Sequence, residues 1–182
     1  LVWAGSSKGM FLLNTTEKQF QPIETGGNVR ITNSTISVLA EIENQIWIGT
    51  GDGLYILDHK TKRIIYQFRV GEFMPGLLND GTINCIQLDN RGFVWIGTYR
   101  RGVNYFQYAK NNFGLFRELD SDSNPLKTNA IVSFAEDTKD HTIWIGTDGK
   151  GLEIYDPEKN EMLPSKKKRL PEQIRKIAVP LT

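Results

Sequence analysis

The chain has 182 residues, 39% hydrophobic, 24% charged and 10% aromatic, the proportions of one ordinary folding domain, which exclude a disordered or fibrous polypeptide. Its 22 Lys and Arg against 21 Asp and Glu leave a net charge of +1, too little to hold a nucleic-acid backbone, so electrostatic recognition must be local. A single cysteine, Cys85, excludes an internal disulfide and a cysteine zinc site. No run approaches the ~18 apolar residues of a membrane span, and the opening lacks the basic start and apolar stretch of a signal peptide. The chain reads as a soluble piece with no direct membrane insertion.

Taken in order, residues 1–32 open on VWAGSSKGMFLLN, a strand through Trp3, a turn, then Gly9 and a second apolar run. Residues 33–78 repeat that hairpin as IWIGTGDGLYILD around Trp47 and Gly53, with a strand-like run TISVLAE at 35–41 before it and IIYQF at 64–68 after it. Residues 79–126 do the same, with TINCIQLD at 82–89, a turn Asp89–Asn90–Arg91–Gly92, VWIGTYRRGVNYF around Trp95 and Gly102, and FGLFREL at 113–119. Residues 127–171 carry AIVSFAED at 130–137 and IWIGTDGKGLEIYD around Trp144 and Gly151. Residues 172–182 hold one more run of the first-strand type, with Ile174, Ile177 and Val179. The four tryptophans lie 44, 48 and 49 residues apart, the length that four short strands and their turns require in a propeller blade. β-branched and aromatic runs of strand length, punctuated by glycine turns, predict an all-β chain of four-stranded antiparallel meanders without a helix. The expected architecture is about four β-propeller blades. They form part of a larger ring, close a ring of their own, or are completed by a homo-oligomer partner.

Repeated residues are read first as structure. Each tryptophan occupies one fixed place mid-strand and is expected to pack between adjacent sheets rather than to form a sugar platform. Gly49, Gly97 and Gly146 allow close backbone approach, and Cys85 is a small packed thiol beside Ile83 and Ile86. His59 and His141 read as turn residues without a partner pattern, and Lys166–Arg169 as a solvated linker. Asn14-Thr15-Thr16 and Asn33-Ser34-Thr35 fit a glycosylation sequon only formally.

Recognition is sought where the copies diverge. In a meander, the loop between strands two and three lies at the same end as the connection into strand one, so these segments share a face. That face gathers Asp52, then Tyr99, Arg100 and Arg101, then Asp148 and Lys150, with Asn33, Asn79 and Asn129 at the starts of the first strands. An aromatic ring beside two guanidinium groups, ringed by amides and carboxylates, suits a sugar with hydroxyl, uronate or sulfate groups.

The motifs I-x-x-I-x-x-D, D-x-x-G, V-W-I-G-T and G-L resemble the two-component regulator propeller repeat. The third unit matches most fully, through Ile83, Ile86, Asp89, Gly92, Trp95, Gly97, Thr98 and Gly102. The second unit departs at Glu43, Asn44 and Gln45, the fourth at Lys139, Asp140 and His141, and the first has Ala4 and Ser6. The resemblance implies blades of a larger, seven-bladed propeller in the periplasmic or extracellular sensor region of a hybrid two-component histidine kinase, responding to an oligosaccharide. It implies no enzyme activity in this segment, and no catalytic residue, metal site or cofactor motif is recognised. The rival readings are a propeller polysaccharide lyase or glycosidase, for which Asp52 and Asp148 are the conceivable carboxylate pair, and a protein-interaction scaffold. Against the scaffold, the residue after each tryptophan is Ile or Ala, never the Asp of WD repeats.

Overall fold

A computed structural model describes residues 2–23, 31, 34–69, 78, 80–107, 112–116 and 126–164. The described residues contain fifteen strands and no helix. The first sheet is β1 (Val2–Ser6), β2 (Gly9–Asn14) and β3 (Gln19–Pro22); the second is β4 (Ile36–Ile42), β5 (Gln45–Thr50), β6 (Gly53–Asp58) and β7 (Ile64–Arg69). The third is β8 (Ile83–Leu88), β9 (Phe93–Thr98), β10 (Val103–Gln107) and β11 (Asn112–Phe116). The fourth is β12 (Ile131–Glu136), β13 (Ile143–Thr147), β14 (Gly151–Asp156) and β15 (Glu161–Leu163). Every sheet runs in chain order with antiparallel pairing, so each is a meander and a propeller blade. The first sheet has three described strands and begins at its tryptophan strand. The run at 172–182, the Lys166–Arg169 stretch, Asn33 and Asn79 lie outside the described residues.

Innermost strands β4, β8 and β12 lie side by side, and β1 lies against β4. Each of the three carries a β-bulge at the same place, opposite its W-I-G-T strand, and the extra residues are Ser37, Asn84 and Val132. A bulge turns a side chain out of the ladder. Asn84 uses this to donate from Nδ2 to the carbonyl of Ile131 on the next blade at 2.8 Å.

The core is a set of slabs between consecutive sheets. Trp3 and Met10 pack with Ile36, Ile46, Ile48, Tyr55 and Leu57; Trp47, Leu54 and Ile56 with Ile83, Ile86, Val94 and Ile96; Trp95 and Val103 with Ile131, Phe134, Ile143, Ile145 and Tyr155. Trp47 and Trp95 are 1% and 2% exposed and join adjacent sheets as expected; Trp144, 3% exposed, packs among the described residues with Ala135, Leu152, Ile154 and Leu163 of its own sheet, and Trp3 is half-buried. The W-x-G-T glycine is needed because the next blade arrives there. A Cβ on Gly49 would lie 2.7 Å from Ile83 Cγ2, and one on Gly97 2.6 Å from Ile131 Cγ2, inside van der Waals contact.

The first-to-second strand turns differ in length. Glu43 and Asn44 make the shortest, with Glu43 at φ +56°; Asp89 to Phe93 is longer, and Asp137 to Thr142 is one residue longer still. Asp89 holds its turn by accepting from the amides of Arg91 and Phe93, both at 2.9 Å, and from Trp95 Nε1 at 3.0 Å. In the fourth blade the counterpart of Asp89 is Asp137, and His141 at φ +56° takes the place of Gly92. The added residue changes the reach, and Trp144 Nε1 is buried without a partner, whereas Trp47 Nε1 donates to Gln45 at 3.2 Å. The histidines have partners that their sequence context does not reveal. Nδ1 of His59 lies 3.5 Å from Glu41 and that of His141 3.0 Å from Glu136, two glutamates at one register position on β4 and β12.

Candidate functional site

The loops joining the second and third strands of each blade are built on one plan. The threonine that ends each W-I-G-T strand folds its hydroxyl across the loop and donates to the carbonyl of the glycine that follows. Thr50 reaches Gly53 at 2.8 Å, Thr98 reaches Gly102 at 2.8 Å and Thr147 reaches Gly151 at 2.7 Å. Ser6 makes the corresponding contact to Gly9 at 3.3 Å, which accounts for the substitution in the first blade. The returning glycine at Gly102 adopts φ +86° and sits against the Phe116 carbonyl, where a side chain has no room. This staple presents the intervening residues outward.

In the third blade those residues are Tyr99, Arg100 and Arg101. Tyr99 is 45% exposed, and the Arg100 guanidinium carbon stands 5.0 Å from the Tyr99 ring centroid, within cation–π range. The loop backbone is fixed on both sides: Tyr99 N–H donates to the Thr82 carbonyl at 3.0 Å, Arg100 N–H to Asp80 Oδ2 at 3.1 Å, and Arg101 N–H to Thr98 Oγ1 at 3.1 Å. In the fourth blade Asp148, Gly149 and Lys150 are exposed, and Asp148 N–H donates to the Ala130 carbonyl at 3.0 Å. Asn129 stands between the two loops, its carbonyl accepting from Gly102 N–H at 2.9 Å.

Of the residues singled out by sequence, Tyr99, Arg100, Arg101, Asn129, Asp148 and Lys150 are therefore brought to the end where these segments meet. Asp52 stands on the second blade's loop, but its carboxylate is turned onto its own hairpin, accepting from Tyr55 Oη at 3.2 Å and sharing the single Thr50 hydroxyl proton with the Gly53 carbonyl, with Oδ1 2.6 Å from Thr50 Oγ1. Asp52 thus holds its loop and offers less to a ligand than its position suggests. Among the described residues no group of three or more His, Cys, Asp or Glu is placed to hold a metal ion.

Residues that the divergent-loop reading misses are Thr82 and Glu153. Asp80 is the acceptor beneath Arg100, and Thr82 also donates from Oγ1 to the Gly51 carbonyl of the second blade at 3.3 Å. Glu153 lies on β14, 3% exposed, with Oε1 and Oε2 accepting from Lys127 N–H at 2.9 and 3.2 Å. The signal was in the repeat: the position two after the turn glycine reads Phe11, Tyr55, Asn104 and Glu153, polar in two copies inside a strand whose neighbours are apolar. A buried polar group requires a partner, and for Glu153 it is the backbone of the segment leading into β12.

A family model described as two component regulator propeller matches residues 77–100 and 125–149, which span the lead-in segment, first strand and tryptophan strand of the third and fourth blades. Among solved structures the chain is similar to the extracellular domain of BT3049 from B. thetaiotaomicron, described as a hybrid two component system, at 19% identity and TM-score 0.72, covering 88% of this chain and 22% of that one. It is similar to the extracellular domain of BT4673 from the same organism, described as a one component system, at 22% identity and TM-score 0.69, covering 88% and 20%. PorZ of Porphyromonas gingivalis, described as an essential surface component of the type-IX secretion system, aligns at 15% identity and TM-score 0.64, covering 89% and 25%. The chain spans a fifth to a quarter of the length of these structures, and the likeness is one of fold. No protein of curated function matches the sequence. Over those two segments the tryptophan, glycine and turn aspartate that build the third and fourth blades are similar to the two-component regulator propeller repeat.

Proposed function

We propose that the chain is a ligand-sensing propeller segment of a hybrid two-component sensor kinase, facing the periplasm or the cell exterior, and that it recognises an oligosaccharide without catalysing its turnover. The observation that carries this reading is the match of the regulator propeller repeat over 77–100 and 125–149, the segments that build the loop face of the third and fourth blades. The chemistry of that face agrees. Tyr99 offers a ring on which a sugar face can stack, and the Arg100 and Arg101 side chains offer charge-assisted bonds to a carboxylate or sulfate. The Asp80 and Glu153 carboxylates accept from backbone amides, which directs their charge into the scaffold and leaves the face suited to an anionic glycan. In the intact sensor, bound glycan would favour one arrangement of the propellers, and attached membrane helices would report that shift to the kinase. Further blades of the parent chain or a homo-oligomer partner would supply the remaining ring.

Calorimetric titration with oligogalacturonate and with a chondroitin sulfate digest tests the reading. Saturable binding is expected, and changing Tyr99, Arg100 and Arg101 together to Ala should weaken it at least ~10-fold, the effect of losing one charge-assisted bond. Affinity that survives the triple change would refute this site. Appearance of new reducing ends or unsaturated products on incubation would overturn the non-enzymatic assignment in favour of a glycosidase or lyase.

A further inference from the structure

We infer that the loops of the second, third and fourth blades are coupled in series along one hydrogen-bonded rail, with Glu153 as the positioning residue that anchors it to the core. The rail is continuous. It starts at the Gly51 carbonyl, which accepts from Thr82 Oγ1 at 3.3 Å, and passes through the Thr82 carbonyl to Tyr99 N–H at 3.0 Å. Asp80 doubles this link, accepting from Thr82 N–H at 3.2 Å and Arg100 N–H at 3.1 Å. From the far side of the same loop Gly102 N–H donates to the Asn129 carbonyl at 2.9 Å, and the adjoining Ala130 carbonyl accepts from Asp148 N–H at 3.0 Å. Each lead-in segment, 80–82 and 127–130, thus clamps the loop of its own blade and that of the blade before.

Such a rail transmits a displacement only if it is held somewhere that does not yield. The 127–130 segment is held by Glu153, which rises from the middle of β14 and grips Lys127 N–H with both carboxylate oxygens. Glu153 does not face a ligand; it acts through Lys127 on the two loops that flank Asn129. The bearing of the rail on ligand binding rests on the loop face being the recognition surface, whereas the rail itself is independent of any ligand.

Amide hydrogen exchange on the 182-residue chain, read residue by residue by NMR, tests it. In Glu153→Ala, exchange at Lys127, Gly102 and Asp148 should accelerate at least ~10-fold beyond any change at the strand amides of Ile96 and Ile145. Glu153→Gln keeps one side-chain acceptor and should recover most of the protection. A purely structural role would instead raise all amides together. Asp80→Ala, a change outside the core, should accelerate Arg100 and Tyr99 and carry through to Gly102. Unchanged exchange at Gly102 and Asp148 in Glu153→Ala, acceleration only in step with the strands, or no rescue by Gln overturns the anchor. If Glu153→Ala does not fold, Glu153→Gln decides the matter, since the loss of one of two acceptor oxygens should still raise exchange a few-fold at Lys127, Gly102 and Asp148 with Ile96 and Ile145 unchanged, and no rise at those three amides, or a rise shared by the strands, refutes the anchor. Unchanged Gly102 in Asp80→Ala overturns the series coupling. These outcomes are separate from glycan titration, whose failure would remove the recognition reading and leave the rail standing.

Discussion

A Cβ added at Gly97 would meet Cys85 Sγ within its own sheet and lie 2.6 Å from Ile131 Cγ2 of the next blade, so neither side can give way without moving a strand. Gly51, in the loop a few residues beyond the equivalent Gly49, has nothing within 4 Å of the same hypothetical atom. Gly97→Ala should therefore cost about 1–3 kcal/mol through overpacking, and Gly51→Ala less than about 0.5 kcal/mol. Urea unfolding of the two variants measures this, and equal costs would show that the sheets are not in contact at Gly97. At this scale the sequence is legible where one residue type has one use: the tryptophans, the close-approach glycines and the turn Asp89 could be assigned from spacing. Asp52 could not, because an exposed hairpin carboxylate and one folded back onto Thr50 and Tyr55 look the same in a sequence. The pairing of His141 with Glu136 was hidden for another reason, since it depends on the extra residue in the Asp137 turn that brings the imidazole back over β12.

Between the third and fourth blades the slab of Trp95, Tyr105, Phe116 and Tyr155, with ring centroids 4.9 to 6.0 Å apart, also encloses two groups that ionise in alkali. Burial pushes the Cys85 thiol from its ordinary 9.0 up to about 12. Burial, with Tyr105 nearby, pushes the Tyr155 phenol from 10.0 up to about 12. A raised pKa means that the unfolded chain loses its proton first. Stability from these groups is then complete below pH 9 and is lost as pH rises from 9 towards about 12. Unfolding free energy measured by urea at intervals from pH 7 to 11 should fall above pH 9, and Cys85→Ala should reduce the slope by up to ~1.4 kcal/mol per pH unit. A slope unaltered by that change would place the thiol in water. The elements themselves were legible from period-two runs and turns, to within one or two residues for the first strands. The third-to-fourth strand turns were less so. They use Asn14, Asp58 and Asp156 as side-chain acceptors for their own backbone and then place Lys18, Lys62 or Asn160 at φ of 54° to 59°. Without a glycine to mark it, a left-handed residue gives no signal in the sequence.

Among the described residues the main contacts between strands of different blades join adjacent blades, and stability is then a sum of blade terms and interface terms, as in other repeat arrays. The tryptophans sample those interfaces unequally. Trp95 is enclosed by two blades and donates to Asp89, whereas Trp3 is half-buried, its indole nitrogen lacks a partner, and Lys62 Nζ lies 4.2 Å from its ring centroid. Trp95→Ala should cost about 3–5 kcal/mol, the range for a large core residue. Trp3→Ala should cost roughly 1–2 kcal/mol, in keeping with its partial burial. The more telling consequence concerns cooperativity. Loss of Trp95 removes the centre of the only slab joining β8–β11 to β12–β15 among the described residues, so the fourth blade should open separately from the second and third. Hydrogen exchange in Trp95→Ala should then show Ile145 on β13 losing protection at lower urea than Ile48 on β5, while in Trp3→Ala the two should remain in step. Coincident loss on β5, β9 and β13 in both variants would mean that the blades share one core and do not behave as a linear array.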